Sequence, residues 1–157
     1  MPRSTDFHLR RARPADLAAL VDLELASFAY DRMSARQFRR HLSSPSAAVL
    51  LAEGDDGLLG SVIVFFRRGS TRARLYSLAT SVAARGRGIG KALLAAAERV
   101  ARERGLRTLS LEVRRDNSAA VHLYEAHGYR RSAALENYYD DGAPAWRYEK
   151  PLQADAS

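Results

Sequence analysis

The chain has 157 residues, of which 46% are hydrophobic and 27% charged, an ordinary balance for one soluble globular domain. The formal charge is +7, and because lysine stands only at Lys91 and Lys150, arginine supplies 23 of the 25 cations. Cysteine is absent, which excludes disulfides, thiolate metal ligands and a cysteine nucleophile together and fits a cytoplasmic address.

Met1 is followed by proline, arginine and aspartate rather than an apolar leader, and the apolar runs Ala47–Ala52 and Val62–Phe66 are too short to span a bilayer. Phe7–Ala12 reads as a first strand. Pro14 then stands near a helix start, with Leu17, Leu20, Val21, Leu23, Leu25 and Phe28 forming a broad apolar face. Ser34 suits the cap of a second helix running to about Leu42. Val49–Glu53 and Leu58–Phe66 flank Gly54-Asp55-Asp56-Gly57, a hairpin signal, and Arg72–Val82 is a further strand. From Gly90 the apolar positions Leu93, Leu94, Ala97, Val100 and Ala101 mark an amphipathic helix ending near Gly105. Leu106–Val113 alternates, with Leu109, Leu111 and Val113 on one face and Thr108, Ser110 and Glu112 on the other. Asn117 or Ser118 caps a short helix that Gly128 closes, and Tyr129–Leu135 and Ala145–Leu152 are the final strands, with a frayed tail from Gln153. The order β-α-α-β-β-β-α-β-α-β-β predicts a single α/β domain, a mixed twisted sheet of about seven strands with helices on both faces.

The informative stretch is SVAARGRGIGKALL, Ser81 to Leu94. Each glycine inside a helix costs about 1 kcal/mol against alanine, so three of them before a helix imply close backbone approach or a turn that a Cβ would obstruct. Free amides at a helix start suit an anion, and a phosphate is the natural candidate. Two familiar phosphate loops fail residue by residue. Aligning Gly90-Lys91 with a Walker A loop puts Arg85 at its first glycine and Ala92 at its hydroxyl, while the dinucleotide fingerprint begun by Gly86 and Gly88 meets lysine at position 91.

Arg-x-x-Gly-x-Gly fits instead, at Arg85, Gly88 and Gly90. The segments LYSLATSVAARGRGIGKALLAAAE and LEVRRDNSAAVHLYEAHGYRR, in this order, resemble the GNAT superfamily of acetyl-coenzyme A-dependent N-acetyltransferases, over nearly the whole chain. The resemblance implies the GNAT acyltransferase fold and acetyl-coenzyme A as co-substrate. Its pyrophosphate would rest on Arg85, Arg87, Gly88, Ile89, Gly90 and Lys91, and its pantetheine arm on the backbone of Leu78, Ala79, Thr80, Ser81 and Val82 where two parallel strands splay. Asn117 matches the family asparagine that contacts the cofactor's amide chain, with helix capping as the alternative, and Ala120 and Tyr124 follow in the same motif.

Acetyl transfer from a thioester to an amine needs a deprotonated amine and a protonated leaving thiol, and no covalent enzyme intermediate. Glu112 is the one acid in an apolar strand; the ribosomal-protein alanine N-acetyltransferase branch uses the glutamate of this strand as base, and pairing with Arg114 or a neighbouring arginine is the alternative. Tyr124 matches the family tyrosine that protonates the departing thiolate, against a purely packing role. His122 and His127 lie five apart with no third ligand at metal spacing, so no metal is expected. The segment ENYYDDGAPAWRYEK resembles the ending of the same branch, whose paired tyrosines line the peptide entry, making Tyr138 and Tyr139 candidate acceptor contacts. Pro144, Trp146 and Tyr148 depart from that ending, and Phe28-Ala29-Tyr30-Asp31 lacks the branch's Pro-Trp pair.

The implied function is transfer of acetyl to a primary amine, with a protein or peptide N-terminus leading. The alternatives are a small amine (polyamine, amino acid or antibiotic) and a silent acyl-coenzyme A-binding domain. Arginines spread among acidic residues suit an anionic ligand more than a specific nucleic-acid surface, and no membrane partner is implied. Homodimers are common in the superfamily, though no face of this sequence marks one.

Overall fold

The computed structural model describes residues 7–29, 32–55 and 57–153. Seven strands form one sheet in the order β1-β2-β3-β4-β5-β7-β6: β1 His8–Arg11, β2 Ala47–Gly54, β3 Gly57–Phe66, β4 Arg72–Thr80, β5 Thr108–Arg114, β6 Arg130–Leu135 and β7 Ala145–Pro151. Among the described residues four α-helices accompany them: α1 Leu17–Ser27, α2 Ala35–Leu42, α3 Ile89–Glu103 and α4 Ser118–Ala126. The element order and the sheet expected from the sequence are both present. Among the described strands only β4 and β5 pair in parallel, as the α3 crossover between them requires.

Two apolar layers explain which strands alternate and which do not. Val49, Leu51 and Ile63 face α1 and α2, where Leu20 of α1, Phe38 of α2 and Met33 between the helices pack against them. Leu50, Ala52, Val62 and Val64 face the other way, toward Ile89, Leu93, Leu94 and Ala97 of α3. β2 and β3 are therefore covered on both faces, and read as continuous apolar runs. In β5, Leu109, Leu111 and Val113 are buried among α3 and α4 residues while Ser110, Glu112 and Arg114 are half-buried on the opposite face. That face of the sheet keeps its polar side chains, and Glu112 on it borders the site.

Local chemistry sets the helix ends with a few departures from expectation. Pro14–Asp16 is a 3₁₀ turn, with α1 beginning only at Leu17, and Leu25 lies on the outer side, 52% exposed. The Ser34 cap is present, its hydroxyl accepting the Gln37 amide at 3.2 Å while the Gln37 side chain takes the Ser34 amide. β4 stops at Thr80, short of the expected Val82, because Val82–Ala84 winds into a second 3₁₀ turn. The hairpin between β2 and β3 includes Asp56, and the expected frayed tail falls on residues 154–157; these, like Tyr30 and Asp31, lie outside the described residues.

Gly60 sits where β3 and α3 pack closely. A Cβ there would stand 2.8 Å from the Ala79 carbonyl and 2.9 Å from both Ile89 Cγ2 and Leu93 Cδ1. Its missing side chain lets the first turn of α3 seat directly on β3.

Candidate active site

β4 and β5 pair only from Arg72–Thr108 to Leu75–Leu111. Beyond that point β4 continues along β3 to Thr80, while β5, paired with β7 along its whole length, has no β4 neighbour. A bulge drives the separation: Ile63 pairs with Ser77 but Val64 with Leu75, leaving Tyr76 as the extra residue of β4. The edge of β4 that would have faced β5 is thus left without a strand partner. A cavity of about 460 Å³ opens at this splay.

Its walls bring together several of the residues singled out in the sequence. Leu78, Glu112, Asn117, Ala120, Tyr124, Tyr138 and Tyr139 all line it. Tyr124, on the inner face of α4, is only 5% exposed, and its ring meets that of Tyr129 edge-on at 5.7 Å. Burial first, and Tyr139 second, push its phenol up, so it stays protonated at neutral pH. No described residue hydrogen-bonds its hydroxyl. Asn117 is the α4 cap, its Oδ1 accepting the Ala120 amide at 3.2 Å. Asn117 is thus both the cap of α4 and part of the cavity wall.

Glu112 is held more firmly than the sequence suggested. Arg74 Nε donates to one carboxylate oxygen at 2.9 Å and Arg147 Nε to the other at 2.8 Å, and the side chain is 6% exposed. The pairing is therefore with Arg74 and Arg147, while Arg114 turns to Asp141 at 2.6 Å. Arg74 also donates to the Tyr138 hydroxyl at 3.0 Å. Tyr138 and Tyr139 pack edge-on at 4.9 Å, and both their amides donate to the Ala143 carbonyl, which closes the loop between β6 and β7 beside the cavity they line. The Arg114–Asp141 pair ties that loop to β5.

The glycine loop lies beyond the cavity wall, at the start of α3. Gly86 and Gly88 have φ of +82° and +78°, with nothing within 4 Å of a Cβ at either position. Backbone conformation, not crowding, thus demands glycine at both. The first helical bond is Ala92 N–H to the Gly88 carbonyl, so the amides of Ile89, Gly90 and Lys91 have no helical acceptor. This cradle fits a pyrophosphate by its chemistry. The Ile89 and Ala79 side chains are buried in the core, so each can offer only backbone. Thr80 is half-buried, the Ser81 amide is already given to the Leu59 carbonyl at 2.8 Å, and Val82, Arg85 and Lys91 are exposed. Arg87, between the two glycines, is half-buried.

Sequence reading missed Glu24 and Phe28 of the cavity wall, and both arginines on Glu112. Glu24 is 5% exposed, its Oε2 accepting the Met33 amide at 2.7 Å, and burial pushes its carboxyl above the ordinary 4.5. An acid within an apolar helical face was its only signal. His127 Nδ1 lies 2.8 Å from the Leu123 carbonyl, a helix-end contact, and among the described residues no group of three or more His, Asp or Glu is placed to hold a metal ion.

Comparison with known proteins agrees with this geometry. The chain is 27% identical over 161 residues to an N-alpha-acetyltransferase of Sulfurisphaera tokodaii, covering 96% of each chain. It is 36% identical over 133 residues to a mycothiol acetyltransferase of Cellulomonas flavigena, covering 77% of this chain but 38% of that longer protein. The crystal structure of the ribosomal-protein-S18-alanine N-acetyltransferase of Escherichia coli superposes with a TM-score of 0.84 at 25% identity, covering 97% of both chains. The profile of the acetyltransferase (GNAT) family matches residues 17–129, more than half of the sequence, and with the splayed strands and the glycine cradle it shows that this chain belongs to the GNAT family of acetyltransferases.

Proposed function

We propose that the protein transfers the acetyl group of acetyl-coenzyme A to the N-terminal α-amine of a protein or peptide. The observation that carries this reading is the convergence, at one cavity, of the Tyr124 hydroxyl, the Glu112 carboxylate and the tyrosine pair Tyr138–Tyr139. Acetyl-coenzyme A supplies an acetyl thioester. The loop from Arg85 to Lys91 would hold its pyrophosphate, and the unpartnered edge of β4 near Leu78, together with Asn117 and Ala120, its amide arm.

The chain's own groups then do three things. Tyr124, kept protonated by burial, donates its proton to the leaving sulfur. Glu112, steadied by Arg74 and Arg147, still has one lone pair on each oxygen and accepts the amine proton, directly or through water. Tyr138 and Tyr139, held by the Ala143 carbonyl, border the entry and orient the acceptor backbone. The 27% identity to an archaeal N-alpha-acetyltransferase and the fold match to the S18-alanine enzyme support an α-amine acceptor. A second reading, a small-molecule amine, draws on the 36% identity to the mycothiol enzyme.

The test is release of coenzyme A thiol from acetyl-coenzyme A with peptides bearing free or acetyl-blocked N-termini, and with polyamines and free amino acids. Turnover of free peptides that is abolished by blocking supports the proposal. Turnover of a small amine alone replaces it with the second reading.

A further inference from the structure

A second depression, of about 320 Å³, lies beside the cavity on the face of β4, β5 and β7 that carries the polar side chains. Its floor is Ser110, the small member of a register row whose other members are Arg74 on β4 and Glu149 on β7. Arg72 and Arg147 rise on either side. The two depressions share Arg74, Glu112 and Tyr138, so the groove continues the cavity along the sheet. Glu112 and Ser110 are two residues apart on one strand face, roughly 7 Å, which is also the advance of an extended peptide over two residues.

The groove's charges do not cancel. Arg74 and Arg147 share the single carboxylate of Glu112, and Arg72 Nη1 donates to Glu149 at 2.7 Å. Three guanidiniums therefore face two carboxylates. The acids are also the more deeply set: Glu112 and Glu149 side chains are 6% and 28% exposed, against 55% for Arg72, 44% for Arg74 and 38% for Arg147. A guanidinium has five N–H donors, and the Glu112 and Glu149 pairings take one from each. The accessible surface of the groove thus offers cationic donors with their balancing acids sunk below them.

We propose that this groove is a specificity subsite for acceptors that carry a carboxylate one or two residues beyond the reacting amine, that is, peptide N-termini with aspartate or glutamate at the second or third position. The inference rests on the α-amine reading above. Arg72 and Arg147 meet the acceptor carboxylate in charge-assisted hydrogen bonds, and the +7 net charge of the chain favours its approach.

The experiment measures kcat/KM on the full chain at saturating acetyl-coenzyme A. It uses three peptides identical except at the second and third residues: Asp-Glu, Ala-Ala and Lys-Arg. The acidic peptide is expected to exceed the neutral one by about tenfold, the size of one charge-assisted hydrogen bond. The basic peptide falls below the neutral one, and the spread narrows as salt is raised. Arg72→Glu reverses the ratio of acidic to basic peptide, and Arg72→Gln flattens it; a ratio is unaffected by any general loss of folded enzyme. Equal kcat/KM for the three peptides, preference for the basic one, or a ratio unmoved by Arg72→Glu overturns the subsite and leaves the α-amine reading standing. Turnover of small amines with none of any peptide overturns that reading, and the subsite with it.

Discussion

Tyr124 and Glu112 share one cavity but differ in what surrounds them. The Glu112 carboxylate accepts from two guanidiniums, while the Tyr124 hydroxyl has no hydrogen-bond partner among the described residues. Because Tyr124 lines the cavity, its unpartnered hydroxyl is open to a group that enters there. Tyr124→Phe removes only that oxygen. It is expected to lower kcat about 100-fold, within the range of a lost general acid, with acetyl-coenzyme A affinity unchanged. Steady-state kinetics beside direct binding of acetyl-coenzyme A checks this, and an unchanged kcat removes Tyr124 from the chemistry. The motif around Tyr124 was legible because the α4 cap at Asn117 and the turn at Gly128 define a short helix locally. Glu24, by contrast, shows in the sequence only as an acid within an apolar helical face, and it is the fold that buries it against the cavity.

At the scale of elements, Gly60 decides how α3 meets the sheet. In Gly60→Ala the new Cβ meets the Ala79 carbonyl and two core side chains at under 3 Å. Overpacking of this kind costs about 1–3 kcal/mol. The first turn of α3 holds the glycine cradle, so the same change is expected to weaken acetyl-coenzyme A binding as well as stability, read by calorimetric titration and urea unfolding. The junction of β1 and α1 is electrostatic instead. Arg10 donates to Asp16 at 2.7 and 2.9 Å, and this holds the Asp16 carboxyl down to about 2 from an ordinary 3.8. A carboxyl lowered in the folded state adds stability above its unfolded value, and the contribution disappears as pH falls through the folded one. Arg10→Ala is therefore expected to be destabilising at neutral pH, with the gap to wild type closing between about pH 4 and pH 2 in unfolding curves taken across that range. A gap constant with pH removes the Asp16 account.

For the whole molecule, the glycine cradle and the strand splay predict that acetyl-coenzyme A stabilises the folded chain. A ligand at 100 times its dissociation constant adds about 2.7 kcal/mol. For a domain of this size that raises Tm by about 5 to 10 °C. Thermal unfolding with and without acetyl-coenzyme A measures it, and no shift removes the assigned cofactor site. A shift without turnover across the amine panel leaves either an acceptor outside the panel or a silent acyl-coenzyme A-binding domain. The order of elements, the cradle from Arg85 to Lys91 and the helix bearing Tyr124 could be read from the sequence, because periodicity, capping and turn glycines act over a few residues. Tertiary structure alone decided the partners of Glu112, which arrive from 38 and 35 residues away along the chain, and the groove at Ser110. Strand register sets both, and register depends on the whole sheet. The bulge at Tyr76 is of the same kind: an extra residue in β4 has no signature in composition, yet it parts the two parallel strands and opens the cavity between them.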